Sequence, residues 1–468
     1  MNEIPASAII TPFALTNIRR FLAFRVLFNA RFYYPIFTVL FLDFGLSLEE
    51  FALLNTVWAF TIVLAEVPSG ALADLMGRKQ LLVVTSVLML LEMALIALAP
   101  AGGGSAVFWL FLCNRIISGL AEAMASGTDE ALAYDTLVEH GMADKWPLVL
   151  DWQMRIQNLG FIFAMTLGAM VYDHELLNRI FTFLGLGLQI ELQLSMRFPI
   201  FLTLVFAVFA LLATIGMEEP KRHKHPGQDA EAESKHGLIV LIGLTLRAGA
   251  WILRTPYAMA IILFAMTLDH TLRMLATLTS QYYRLIDLPE STFGLIGSAI
   301  ALIGLMVPRL ARFMSEKFSA GINVLILSLA MIMALVFLGR FIPYFGVLPM
   351  AAAFIGMMMT SFFTSHYLNS ITSSEQRATV LSFKGMAFNI AYGCIGMGFA
   401  ALIRHERQLL SLQHPLAQES FLENTAFKLA TGWFPWYLAI MLLVVTAFTL
   451  PRLRRQKRSP QHGLTSEQ

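Results

Sequence analysis

Runs of apolar residues, each closed by charged residues, Gly or Pro, recur along the chain from residue 22 to residue 450. A helix needs about 20 such residues to cross a hydrocarbon layer roughly 30 Å thick. The pattern therefore predicts an all-α integral membrane protein with twelve transmembrane helices, over 22–42, 51–69, 80–99, 106–128, 155–172, 198–216, 256–278, 291–312, 321–339, 344–367, 379–402 and 431–450. The first run follows Arg19 and Arg20 and is too long for the apolar part of a signal peptide, so it is expected to remain as the first span.

Polar stretches divide these runs. Residues 218–237, EEPKRHKHPGQDAEAESKHG, form the longest of them, with six spans before and six after, and predict a linker between two pseudo-symmetric six-helix bundles. The expected layout is an N-terminal segment over 1–21, a first bundle over 22–216, a linker with an interfacial helix over 217–255, a second bundle over 256–450 and a basic tail over 451–468. The pair Val67-Pro68 near the end of span 2 returns as Val307-Pro308 in span 8, a faint internal repeat. Repeated halves suit carriers, because a site between two similar bundles can open to either side in turn.

Composition sharpens this reading. The 468 residues are 57% hydrophobic and 14% charged, and the mean hydropathy is +0.67. Soluble domains carry about 25% charged residues, so most of this surface is expected to face lipid. The net charge of +2 supplies no field for nucleic acid. Cys113 and Cys394 lie in separate apolar runs without His or Cys at metal spacing, so neither a disulfide framework nor a metal or cofactor is expected. Lys and Arg collect in the even-numbered connections and at both ends, which places both termini in the cytoplasm. A multi-pass plasma-membrane protein is expected, in a bacterial inner membrane, monomeric and surrounded by lipid.

Between spans 2 and 3 the chain reads Gly70-Ala-Leu-Ala-Asp74-Leu-Met-Gly77-Arg78-Lys79. Gly70 and Gly77 permit close contact and a tight reversal, Arg78 and Lys79 hold the loop inside, and Asp74 offers a carboxylate to a helix N-terminus or a basic side chain. A possible capping box, Ser373-Ser374-Glu375-Gln376, opens span 11 with Arg377 directly after it. In span 4, Arg115, Gly119 and Ala123 fall four residues apart.

The loop and the span-4 pattern resemble the signatures of the major facilitator superfamily, and with the topology the similarity covers residues 20 to 450. That resemblance implies a rocking two-bundle carrier, with Asp74 and Arg78 as parts of a conformational latch that Gly70, Gly77, Lys79 and Arg377 would complete. Two departures stand out: Leu75 occupies a position that is usually basic, and span 5 has Gly160 and Gly168 but lacks the Gly-Pro pair common in proton antiporters of the family.

A charged group near the bilayer centre costs about 2.5–3.5 kcal/mol, so such groups must face protein or water. The deep ones are Arg31, Arg115, Glu122, Asp269 and Arg273, with His270 alongside. Glu92, Glu66 and Lys384 stand outside this set. The resemblance assigns the cavity-lining spans as the first, fourth, seventh and tenth, and span 10 adds Thr360, Thr364 and His366. Glu122 is expected to take up and release a proton and Arg115 to bind a substrate anion or tune Glu122, against the plainer reading of fixed salt bridges. Arg31 would hold an anionic group or pair with Asp269, and Asp269 with Arg273 would form a neutralising i,i+4 pair.

The expected function is secondary active transport of a small solute, an amphipathic compound or drug being one candidate, by proton-coupled alternating access, with efflux as one direction. A facilitator or symporter for uptake is the alternative. No phosphate-binding loop predicts ATP use, and neither H-E-x-x-H nor G-x-S-x-G predicts a membrane enzyme, so no enzymatic activity is expected. A channel or a non-transporting receptor is the remaining class.

Overall fold

The computed structural model describes residues 11–220, 249–372 and 374–458, without the side chains of Val67, Ala71, Asp74, Leu381 and residues 374–379 and 456–458. Most of the expected linker, with the interfacial helix up to residue 248, lies outside the described residues, as does Ser373. Among the described residues eleven helices are long and apolar enough to cross a membrane. The run expected at 22–42 is not one of them, because it does not form a continuous helix. It folds as α1 (Thr16–Asn29), an irregular turn with a short 3-10 segment at Tyr34–Ile36, and α2 (Phe37–Asp43). Pro35 has no N–H to give to a helical ladder, which disfavours continuation.

The helices that follow are α3 (Leu48–Met76), α4 (Arg78–Ala97), α5 (Ser105–Ala125), α6 (Thr128–Glu139), α7 (Trp146–Tyr172), α8 (His174–Phe183), α9 (Leu192–Ser195) and α10 (Phe198–Ile215). After the linker come α11 (Pro256–Thr277), α12 (Thr279–Leu285), α13 (Glu290–Gly304), α14 (Val307–Lys317), α15 (Ala320–Leu338), α16 (Val347–Asn369), α17 (Ser374–Gln413), α18 (Glu419–Gly432) and α19 (Phe434–Arg458). The repeated Val-Pro pair falls in unlike places: Pro68 sits inside α3, whereas Pro308 opens α14 after a turn at Leu305 and Met306.

The chain forms two compact units. Among the described residues the first holds 11–47, 57–220 and 289–301, and the second holds 48–56, 249–288, 302–372 and 374–458, so the division passes through α3 and α13. In the first unit Phe24, Phe28, Leu82, Met89 and Leu132 from α1, α4 and α6 form one core, joined by small residues Ala121, Ala207 and Ala210 that let α5 and α10 approach closely. In the second, Met259 and Ile262 of α11 pack with Leu368 of α16 and with Val380 and Phe388 of α17.

The irregular turn at residues 30–33 needs cover, because backbone outside a helix at membrane depth survives only where protein satisfies it. The Phe32 N–H donates to Thr203 Oγ1 at 3.1 Å. On the other side α7 presents Gly168, whose missing Cβ would lie 1.8 Å from the Phe32 carbonyl oxygen. Glycine at 168 is thus a packing requirement of the broken helix.

Directly after α7, five residues beyond Gly168, Asp173 caps two helices at once. Its Oδ1 accepts from the Leu176 N–H of α8 at 3.0 Å and its Oδ2 from the Ser291 N–H of α13 at 3.1 Å. Burial pushes this carboxyl up, but the hydrogen bonds from Leu176 and Ser291, with a smaller pull from His174, prevail and hold it below the ordinary carboxylate value.

Replacing Gly168 by Leu should destabilise the protein by roughly 1–3 kcal/mol, read as a lower midpoint of thermal unfolding in detergent. Gly398→Ala, with open space around the added carbon, should leave it unchanged. Removing the Asp173 cap with Asp173→Ala should cost about 0.5–2 kcal/mol at neutral pH. Because the folded-state pKa is depressed, that contribution is complete above the ordinary value near 3.9 and fades as pH falls through the lower folded-state value. Unfolding midpoints of wild type and Asp173→Ala should therefore converge only in strong acid.

Candidate functional site

Within the first unit the broken helix delivers Arg31 to α4. Arg31 is 4% exposed and forms an ion pair with Glu92 of α4, which is fully buried. Neither of the sequence expectations for Arg31, an anionic ligand or Asp269, describes this contact. Glu92 also passes the network on through its backbone: the Asn114 amide donates to the Glu92 carbonyl at 2.8 Å. Asn114 Oδ1 in turn accepts from Arg115 Nε at 3.0 Å and from Arg115 Nη2 at 2.8 Å.

Arg115 is 3% exposed, and among the described residues no carboxylate lies within ion-pair distance of it. Its guanidinium instead lies 5.3 Å from the Phe37 ring centre and 5.4 Å from that of Phe41, both on α2. Cation–π contacts of this kind give about 0.5–2 kcal/mol each and do not cancel the charge. Glu122 follows seven residues later, about 10.5 Å along the helix axis, with its side chain exposed. Arg115 and Glu122 therefore share a helix face without touching.

The two other residues of the span-4 pattern do different work. A Cβ on Gly119 would stand 2.8 Å from Thr61 Cβ and 3.0 Å from the Trp58 carbonyl oxygen, and the Ala123 carbonyl accepts from Ser69 Oγ at 3.0 Å. Both small residues bring α5 against α3, the role small residues play at helix crossings in membranes.

In the loop signature, Gly77 adopts a φ of +93°, which an L side chain rarely accepts. That conformation exposes the N-terminus of α4 to Glu219, whose carboxylate accepts from the Arg78 N–H at 2.9 Å and the Lys79 N–H at 2.7 Å. The Arg78 side chain pairs with Asp135 of α6 and donates to the Ala131 carbonyl at 2.8 Å. Arg25 holds the same helix through Asp129, at 3.1 Å, and Glu130. Gly70 lies on α3 with an exposed surface. The side chains of Asp74 and Arg377 lie outside the described residues.

In the second unit Asp269 and Arg273 form an i,i+4 ion pair on α11 at 2.6 Å. Arg273 also donates to Asn389 Oδ1 at 2.9 Å and faces the Tyr392 ring at 5.4 Å, both on α17. Lys384, also on α17, lies over the Phe388 ring at 5.6 Å. His270 joins Tyr437 of α19 at 2.7 Å. His366 stands apart from these charges, exposed and stacked on Phe362 with ring centres 6.0 Å apart. Sequence reasoning missed Asn114, Glu219, Asn389 and Tyr392, and set Glu92 aside. Asn114 beside Arg115 in an apolar run was the one local signal.

A family model described as Major Facilitator Superfamily matches residues 21–401. The chain belongs to that superfamily of membrane transporters. The crystal structure of the nucleoside transporter NupG is similar to it over 94% of this chain and 99% of that one, at 14% identity and a TM-score of 0.66. A bacterial homolog of the human lysosomal transporter Spinster, inward-facing and unoccupied, is similar over 97% of this chain and 100% of that one, at 14% identity and a TM-score of 0.70. A D-xylose-proton symporter is similar over 90% of this chain and 97% of that one, at 13% identity and a TM-score of 0.55. These likenesses are of fold. No curated protein matches the sequence.

Breaking the buried pair should be costly, because the surviving charge has no local substitute. Arg31→Met or Glu92→Leu alone should lose roughly 3–5 kcal/mol of stability, while the double variant should recover most of it. A double-mutant cycle on unfolding midpoints in detergent measures this. Exchanging the charges of Arg31 and Asp269 together should rescue neither single change.

Proposed function

We propose that this member of the superfamily is a proton-coupled secondary active carrier for a small amphipathic solute bearing an anionic group, working by alternating access. The observation that supports this reading most is the state of Arg115. Its charge is buried within a membrane span and held by an amide oxygen and two aromatic faces, with no carboxylate at ion-pair distance among the described residues. A charge at such depth is expensive unless something of opposite sign reaches it. An anionic group on the solute would neutralise Arg115 while the aromatic rings of α2 cover its apolar part.

Glu122 supplies the proton step in this scheme. It lies two turns from Arg115 and is exposed, whereas Glu92 is committed to Arg31. In this scheme solute binding at Arg115 and proton binding at Glu122 belong to the same step of the cycle, which couples the two. Import and export follow from the same cycle run with opposite gradients.

In proteoliposomes with an imposed pH gradient, Glu122→Gln should abolish uphill solute movement while keeping counterflow. Arg115→Ala should reduce both by ten-fold or more, about 1.4 kcal/mol of binding. Full gradient-driven transport by Glu122→Gln would sink the proton role.

A further inference from the structure

The second unit contains a groove that the transport scheme leaves unused. It measures about 590 Å³ and lies among α11, α15, α16 and α19. Its walls are apolar, with Phe264, Leu325, Leu329 and Leu443 along it, and the last three are more than half exposed, so it opens sideways on the membrane-facing surface. Buried in its lining is Ser328, 7% exposed, whose hydroxyl has no hydrogen-bond partner. An unsatisfied hydroxyl in an otherwise greasy wall favours an occupant that carries an acceptor as well as hydrocarbon.

Basic residues adjoin the lining in the chain at one end of the groove. Tyr257 opens α11, Ala320 and Gly321 open α15, and Leu450 and Leu453 close the lining on α19. Each of these positions has basic residues close by in the chain: Arg254, Lys317, and Arg454 with Arg455. All four side chains are exposed, and among the described residues none forms an ion pair. The nearby Arg312 is already neutralised by Glu316 at 2.7 Å. A long apolar slot ending at unpaired Arg and Lys matches a single molecular shape, an acyl chain joined to a phosphate.

We propose that this groove is a binding site for an anionic glycerophospholipid. One acyl chain fills the slot, an ester carbonyl accepts from the Ser328 hydroxyl, and the phosphate meets Arg454, Arg455, Lys317 and Arg254. Juxtamembrane basic residues attract anionic headgroups by about 1 kcal/mol each, so neutralising one arginine should weaken binding roughly five-fold. The acyl chain adds affinity through removal of apolar area, a term indifferent to headgroup charge.

Native mass spectrometry of the full chain, delipidated in a neutral detergent and titrated with phosphatidylglycerol or with phosphatidylcholine of the same chains, tests this. The wild type should retain phosphatidylglycerol preferentially, and Arg454→Ala with Arg455→Ala should reduce that preference twenty-fold or more. Gly321→Leu, which projects into open space, should lose retention of both lipids without a change in unfolding midpoint. Equal retention of the two lipids by the wild type would overturn the proposal. So would unchanged phosphatidylglycerol retention in the arginine variants, which stay independent of the groove should Gly321→Leu fail to fold.

Discussion

A charge inside a membrane-spanning helix must find an opposite charge, water or a polar wall, and much of the first unit is arranged around that requirement. Arg31 satisfies it with Glu92, and Glu92 is reachable because the first span unwinds at residues 30–33 instead of running straight. Unwinding creates a second problem, exposed peptide groups: Thr203 accepts from one of them, and the bare backbone at Gly168 lets α7 pack over the turn. A single ion pair thus connects the identity of residues in the turn between α1 and α2 and on α4, α7 and α10.

The second unit meets the same requirement within one helix. Asp269 and Arg273 neutralise each other one turn apart, and α17 completes the arrangement with the Asn389 amide and the Tyr392 face. No backbone has to break for this. The contrast matters for chemistry: Arg115 in the first unit is held by neutral groups, while Arg273 in the second has a carboxylate of its own. Arg115 is therefore the better candidate to meet a solute charge.

Several residues that stand out in the sequence serve helix ends and crossings. Gly77 turns so that Glu219 can cap α4, and Arg78 clasps α6 through Asp135 and Ala131. Gly119 and Ala123 let α5 lie against α3. Asp173 binds the starts of α8 and α13 together. Such contacts set how helices end and approach, which is the framework any carrier chemistry needs.

Hydropathy alone determined the all-helical membrane class, most of the span positions and, with the loop signature, the superfamily, because hydrocarbon thickness and backbone hydrogen bonding leave few other solutions for such runs. The i,i+4 partnership of Asp269 and Arg273 was legible for the same reason, being fixed by helix geometry. Tertiary structure alone decided that the first run breaks, that Arg31 chooses Glu92 sixty-one residues away, and that Asn114 rather than a carboxylate holds Arg115. Those outcomes depend on which faces of separate helices meet, and hydrophobic periodicity carries no record of partners distant in the chain.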